Sequence, residues 1–498
     1  MSSDSEESDP GVQVRISLKL AASVQDRSLE VPTEPIAVPA DIGRKGLSAV
    51  LNHLLGRKVT KDKKQDDDSV QDESDDDDDD EDDGKLPPIT FEFIMAGTNN
   101  RLLRKGVEKE ARQYGISLEE ALSITYFPAT TAPDLSEEEE QLPDWVSCLA
   151  YSHNSSSSNL ICSGCYDGTI HLFQQQEEEE SGGESLEKLH TVTVATGPMK
   201  ALAMTRTENQ SLWIAAASLD HSLSLYQYSQ DAGLHLRGHC IQEDTSAAIS
   251  CLDFQRSSSL LASGDGKGTI RLWNLPSEEG MEMESTSDST KKKKQKTATG
   301  GQKTLHSDIK AHSTMESAHS QLISGLSWGN HSTSLSSHLI SGSWDHSIKL
   351  WDVEKQDCLL TLNGSRVVSC LDTSYHTEGV VATGHPDCTI RLWDVRVNTS
   401  QQSAVISDSS LRPSHKAWVS DVRWNPCNAY QLASTSHDGT VKLWDIRSSN
   451  PLHTVRVFAK DEKGMCLIWA AHPDSENQEE KLHLFAGGTD CIIKHLQL

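Results

Sequence analysis

The sequence predicts a mainly β protein: a propeller of seven small antiparallel sheets, preceded by a compact α+β domain. Three observations lead there. All eleven tryptophans lie at or beyond Trp145, and every long acidic or polar run except those at 177–180 and 276–304 lies before it. One segment ending in an aromatic residue recurs downstream, about 40–60 residues apart outside the 276–304 insertion. Between these recurrences stand short period-two hydrophobic stretches bounded by turn residues, the pattern of half-buried strands.

The recurring segment is clearest in three copies. Ser163-Gly-Cys-Tyr-Asp167-Gly-Thr-Ile-His-Leu-Phe173 aligns with Ser341-Gly-Ser-Trp-Asp345-His-Ser-Ile-Lys-Leu-Trp351 and with Ser434-Thr-Ser-His-Asp438-Gly-Thr-Val-Lys-Leu-Trp444. Related segments end at Tyr226, Trp273, Trp393 and, more weakly, His495, which makes seven units. Each is preceded by an alternating stretch such as Ile249–Phe254 or Val419–Trp424. Four short strands per unit resemble a WD-repeat β-propeller, here over residues 144–498.

In such blades a His before the first strand, a Ser or Thr in the second, an Asp in the following turn and the Trp of the third form one buried polar network. The sixth unit has the full set in His415, Ser434, Asp438 and Trp444, and the fourth in His319, Ser341, Asp345 and Trp351. A buried carboxylate is costly unless all its partners are present. The third unit has Lys267 at the Asp position, the fifth has no His at Gly364-Ser-Arg, and the second ends in Tyr226. These three are expected to close by packing alone.

The first 127 residues read differently. Residues 1–10 form an acidic tail. Val12, Val14, Ile16, Leu18 and Leu20 alternate as a strand, with 28–38 as its hairpin partner. Leu47, Val50, Leu51, Leu54 and Leu55 share one helix face that Gly56 ends. After an acidic insertion at 57–87 come strands at Ile89–Met95 and Arg101–Arg104, a helical turn near 106–114 and a strand at Leu122–Phe127. That order is a ubiquitin-like β-grasp over 11–127, and 128–143 reads as a Pro- and Glu-rich linker.

The formal net charge is −29, but residues 66–83 hold 14 acids and no Lys or Arg, and 1–9, 137–140 and 177–180 hold four each. The imbalance argues against a broad nucleic-acid-binding surface, but its distribution matters more: the acidity belongs to tails and loops rather than to a folded face. With no apolar run of bilayer length, no leader-like start after Met1 and eleven irregularly spaced cysteines, the chain reads as a soluble intracellular protein with reduced thiols.

Candidate chemistry is mostly explained by the repeats. The Ser, His and Asp sets suggest a hydrolase triad, yet they recur with the blade period, whereas one active site needs one constellation. Gly264-Asp-Gly-Lys-Gly-Thr269 lacks phosphate-loop spacing and sits at a blade turn. Cys162-Ser-Gly-Cys165 has no second pair to complete a zinc site. The acids of 66–83 lack the ligand order of a calcium loop and read as a solvated insertion or a site for basic proteins. Lys291, Lys292, Lys293, Lys294 and Lys296 form a cluster inside 276–304, read as a nuclear-import signal rather than a solubilising patch. No cofactor is implied.

A β-grasp domain followed by seven WD repeats resembles the WD-repeat ribosome-biogenesis family whose members join Pescadillo and Bop in the PeBoW complex. The resemblance is carried by Gly46-Leu-Ser-Ala-Val-Leu-Asn-His-Leu-Leu-Gly56, Phe91-Glu-Phe-Ile-Met-Ala-Gly97, Asp144-Trp-Val-Ser147 and the Lys-rich loop after the third repeat. Notchless proteins share the domain order but carry eight repeats and lack that loop. The resemblance implies a non-enzymatic scaffold that acts in the nucleolus and nucleoplasm on the pre-60S particle and on maturation of 28S and 5.8S rRNA. It also implies docking of the β-grasp domain on the Midasin AAA ATPase, with Glu119 or its neighbour Glu120 completing the coordination of Midasin's metal ion. Direct rRNA contact stays open. The alternative reading is a substrate receptor of a ubiquitin ligase, with the β-grasp domain as a ubiquitin mimic.

Overall fold

The computed structural model describes residues 13–57, 86–136, 140–152, 159–177, 184–207, 211–230, 233–241, 246–255, 259–276, 307–329, 337–396, 414–473 and 480–498. The chain divides into two units, 1–131 and 132–498.

In the first unit, β1 (Gln13–Leu20), β2 (Ile36–Pro39), α1 (Arg44–Leu54), β3 (Phe91–Met95), α2 (Val107–Gln113) and β4 (Leu122–Pro128) follow in order. The sheet order is β2-β1-β4-β3, with β1 parallel to β4 and the other pairs antiparallel. The alternation of β1 buries Val14, Ile16, Leu18 and Leu20 under α1, whose Leu47 and Leu51 are fully enclosed. Leu54, expected on the same stripe, is 42% exposed in the last helical turn. The helix stops as expected at Gly56, which takes the left-handed φ of +69° that ends helices. The Asn52 side chain donates to Ile89 O at 2.7 Å and accepts Ile89 N–H at 2.9 Å, so α1 is tied to the chain re-entering β3 after the acidic insertion.

Two expectations here need correction. Only 36–39 of the stretch 28–38 and its neighbour pairs with β1; Arg27–Leu29 is a 3-10 turn pinned by the Tyr126 hydroxyl, which donates to Leu29 O and accepts Val31 N–H. Residues 101–104 make a single bridge, Leu102 to Ile94, rather than a strand. The reason is local. Glu110 Oε1 accepts both Arg104 N–H (2.7 Å) and Lys105 N–H (2.9 Å), which turns the chain away from β3 into α2.

The second unit is the propeller. Its seven innermost strands are Val146–Ser152, Met199–Arg206, Ile249–Phe254, Ile323–Trp328, Cys370–Thr373, Val419–Trp424 and Gly464–Pro473, each backed by its own sheet. Each innermost strand neighbours the next, and the last neighbours the first, so the ring closes. Blade 7 draws its outer strand from the start of the unit: Asp134–Leu135 and Glu140–Gln141 both pair with Ile492–Gln497. The stretch 128–143, expected as a linker, thus also supplies the outer strand that a last repeat ending in its third strand requires. Closing the sheet this way leaves the last blade without a bare edge.

Blade 2 has a fifth strand. Ser307–Lys310 lies parallel on its outer strand, Gly233–Ile241, before Ser313–Met315 crosses to become the outer strand of blade 3. Blade 5 has three strands among the described residues. In blade 7 Leu484 pairs with Leu496 where blade 4 pairs Leu339 with Trp351. Leu496, not His495, therefore holds the aromatic position; without the Ser and Trp of the repeat, the sequence register slipped by one.

Candidate docking surfaces

The polar sets of blades 4 and 6 assemble as one chain of hydrogen bonds each. Trp351 Nε1 donates to Ser341 Oγ (2.8 Å), which lies 2.6 Å from His319 Nε2, while His319 Nδ1 lies 3.0 Å from Asp345 Oδ2. In blade 6 the distances are 2.8 Å for Trp444 to Ser434, 2.8 Å for Ser434 to His415 and 3.1 Å for His415 to Asp438. Trp to Ser to His to Asp is the donor order that satisfies every group with a neutral imidazole. Burial lowers the pKa of His319 and His415 against the pull of their aspartates. Burial would raise Asp345 and Asp438, but Ser347 and the Ser320 N–H hold the first, and His415 and the Lys416 N–H the second, well below the usual carboxylate range. Ser341 and Ser434 have no exposed surface, so neither hydroxyl can meet a substrate.

Blades 3 and 5, expected to close by packing alone, carry networks of their own. In blade 3 Ser263 still accepts Trp273 Nε1 at 2.9 Å, and the carboxylate has moved two residues back: Asp265 accepts the N–H groups of Lys267 and Thr269 and pairs with Arg271 at 2.6 Å. In blade 5 the imidazole comes from the blade's own turn. His385 Nε2 lies 2.8 Å from Thr383 Oγ1, which accepts Trp393 Nε1 at 2.8 Å, and His385 Nδ1 lies 2.8 Å from Val367 O. Blade 2 does lack the set, with Ala216 at the serine position and Tyr226 at the tryptophan. Its Asp220 caps Thr196 and Ser222 instead, and although burial raises its pKa, these bonds bring it down to about 2.

A second repeated device escaped the sequence reading. The second residue of the innermost strand sits in a β-bulge in blades 1 to 4, 6 and 7. A bulge re-aims its side chain. Ser147 donates to Met199 O (2.7 Å), Ser250 to Ile323 O, Ser324 to Val368 O (2.6 Å) and Ser420 to Gly464 O (2.8 Å), each reaching the next blade. The signal was present as an apolar residue, Ser, any residue, then an apolar residue at the head of five units. Carboxylates add further links: half-buried Asp253 accepts Trp328 N–H, and buried Asp372 and Asp421 accept Trp424 N–H and Leu467 N–H. Burial, against the attraction of Arg423, pushes Asp372 up to about 7. The innermost strands surround a cavity of about 380 Å³.

Glu119 and Glu120 lie in the bend between α2 and β4, both exposed, with Ile116 and Leu118 packed on the core behind them. Glu119 N–H donates to Ser117 Oγ at 3.3 Å. The bend thus presents two adjacent carboxylates on an anchored loop. Lys291–Lys294 and Lys296, and the acids of 66–83, lie outside the described residues. Cys162 and Cys165 are buried thiols whose pKa burial raises, Cys165 to about 12. Among the described residues no group of three His, Cys, Asp or Glu is arranged to hold a metal ion, and no helix is long and apolar enough to cross a membrane.

Residues 16–104 match the NLE (NUC135) domain, and 139–174, 233–274, 310–352, 356–394 and 409–445 match the WD domain, G-beta repeat. Three proteins named "Ribosome biogenesis protein WDR12 homolog" align along almost their whole length. That of Nematostella vectensis is 29% identical over 96% of this chain and 97% of its own. That of Arabidopsis thaliana is 28% identical over 89% and 90%, and that of Chlamydomonas reinhardtii 27% identical over 94% of each. The similarity to WDR12 homologues thus runs along almost the whole chain. The NLE match falls on the β-grasp unit, and the five repeat matches cover the first three strands of blades 1, 3, 4, 5 and 6, leaving those of blades 2 and 7 unmatched. Blades that diverge from the serine and tryptophan positions, such as blade 7, escape the match but keep the sheet.

Proposed function

We propose that this chain is a non-enzymatic scaffold of ribosome biogenesis. Its near full-length similarity to proteins of that name, through the same order of NLE domain and WD repeats, carries the reading. The finer assignment is a subunit of the PeBoW complex, with Pescadillo and Bop as partners, acting in the nucleolus and nucleoplasm on pre-60S particles during maturation of 28S and 5.8S rRNA. In this reading the β-grasp unit docks on Midasin through Glu119, whose carboxylate oxygen is a hard ligand suited to Mg²⁺. The exposed, anchored bend at 117–120 supports it. Lys291–Lys294 and Lys296 serve nuclear import. The buried serines of the blade networks support a structural use of the Ser, His and Asp sets.

Affinity purification of the tagged chain from nuclear extract tests this. Recovery of Pescadillo, Bop and large-subunit precursors is expected. Recovery of cullin adaptors in their place would establish the alternative, a substrate receptor of a ubiquitin ligase.

A further inference from the structure

One mouth of the central cavity carries all the tryptophan that the propeller exposes. In six blades the residue just before the innermost strand is hydrogen-bonded to the residue just after the second strand, so both stand on the same rim. Tyr166 N–H donates to Trp145 O at 3.0 Å, Trp344 to Leu322 at 2.9 Å and His437 to Trp418 at 3.0 Å; blades 2, 3 and 7 repeat the bond at Leu219, Gly266 and Thr489. This pairing sets Trp145, Trp344 and Trp418 around one opening, in blades 1, 4 and 6. They are 43%, 41% and 48% exposed, whereas the other eight tryptophans are at most 6% exposed. Two are braced by a second ring: Tyr166 lies 5.2 Å from Trp145, and His437 stacks on Trp418 at 6.0 Å and 11°.

Exposed lysines stand between these rings. Lys200 is the bulged residue of blade 2, where other blades have serine; Lys267 follows Gly266 in blade 3; Lys416 stands beside Trp418 in blade 6; Lys463 heads blade 7. The carboxylates of the rim are mostly occupied. Asp220, Asp345 and Asp438 are held within their own turns, Asp144 accepts Trp145 N–H and Glu462 accepts Ala459 N–H. These carboxylates stay ionised, and Asp167, Asp387 and Asp461 are exposed as well, so the rim carries both signs, with the four lysines set beside the tryptophans. The four acidic runs that dominate the chain's net charge include none of these rim positions.

We propose that this rim binds single-stranded RNA, with bases stacked on Trp145, Trp344 and Trp418 and phosphates held by Lys200, Lys267, Lys416 and Lys463. Aromatic platforms interleaved with basic side chains are how proteins hold unpaired nucleotides, because every base has a stacking face and every linkage a charge. An acidic peptide satisfies the lysines but gives three half-exposed indoles nothing to stack. The inference is independent of docking through Glu119.

Fluorescence anisotropy of the full chain with a labelled twelve-nucleotide single-stranded RNA tests it. Each of Trp145→Ala, Trp344→Ala and Trp418→Ala is expected to weaken binding about tenfold, and the matching Trp→Tyr changes to restore most of it. Each Lys→Ala change at the four positions is expected to lower the slope of log affinity against log salt by about 0.7. These positions are exposed, so unchanged melting curves confirm intact folding. Trp variants that bind RNA as tightly as the parent would overturn the proposal. So would binding that disappears only when Lys291–Lys296 is replaced, or an oligoglutamate peptide that binds the rim through the same tryptophans.

Discussion

The Tyr151 hydroxyl donates to the Ala471 carbonyl at 2.7 Å, joining the first blade to the last across 320 residues. Five residues back along the same strands the Cys466 thiol approaches Val146 O at 3.7 Å. The seam of the ring is thus made between innermost strands, while Asp134–Leu135 and Glu140–Gln141 fasten it from outside. Losing this stretch bares the edge of Ile492–Gln497 and removes Leu142, which is buried against Val146, Phe485 and Ile493 at the seam. Deleting 132–143 is expected to lower the propeller's melting temperature by about 10 °C or more, on the scale of several kcal/mol for a domain of this size. Scanning calorimetry measures this, and an unchanged transition would show that the inner seam suffices.

The blade networks predict a graded series. Ser434→Ala strands two buried groups, His415 Nε2 and Trp444 Nε1, and should cost about 2–4 kcal/mol in urea unfolding. Thr383→Ala in blade 5 should cost as much, because Thr383 bridges His385 and Trp393 in the same way. A cost below about 1 kcal/mol at Thr383, near that of an ordinary surface change, would return blade 5 to closure by packing.

Asp372 sets a pH dependence. Its folded pKa is raised by burial to about 7 from 3.8, so it keeps its proton in the folded chain where the unfolded chain has lost it. Its contribution is fully present below pH 3.8 and is lost as pH rises through 7. Asn imitates the protonated acid and keeps an oxygen for Trp424 N–H. Asp372→Asn should therefore gain stability relative to the parent between pH 4 and pH 8, by at most about 4 kcal/mol. Denaturant midpoints at the two pH values decide it, and an equal difference at both would show that Asp372 ionises normally in the fold.

Import gives a separate test. Replacing Lys291–Lys294 and Lys296 by Ala is expected to move the chain toward the cytoplasm without changing its melting curve. Imaging the variant in cells depleted of Bop removes import on that partner as an explanation. Full nuclear accumulation there would assign the signal elsewhere.

Much of this fold was legible in sequence because a repeat is one-dimensional information: Ser341 to Trp351 and Ser434 to Trp444 keep one spacing, and the spacing names the turn between strands. What escaped depends on two strands at once. The bulge that aims Ser147, Ser250, Ser324 and Ser420 at the next blade exists only as a register shift between partners. His385 was invisible because it replaces a histidine from a different element, so no position in the motif announces it. The parallel strand Ser307–Lys310 pairs with residues about 70 positions earlier, across an insertion that carries no period. Glu119 illustrates the opposite limit: an exposed carboxylate on a bend has no packing signature, and its assignment came from resemblance.

Separable roles for the two units are the centre of this account, and Glu119→Ala tests them most directly. Co-purification from cells should recover Pescadillo and Bop at parental levels and Midasin at background, because the proposed docking carboxylate stands on an exposed bend of the β-grasp unit. Glu119→Asp should retain part of the binding and Glu119→Gln very little. If Glu120→Ala loses Midasin while Glu119→Ala does not, the docking acid is the neighbour. Normal Midasin recovery with both variants would contradict docking through this bend.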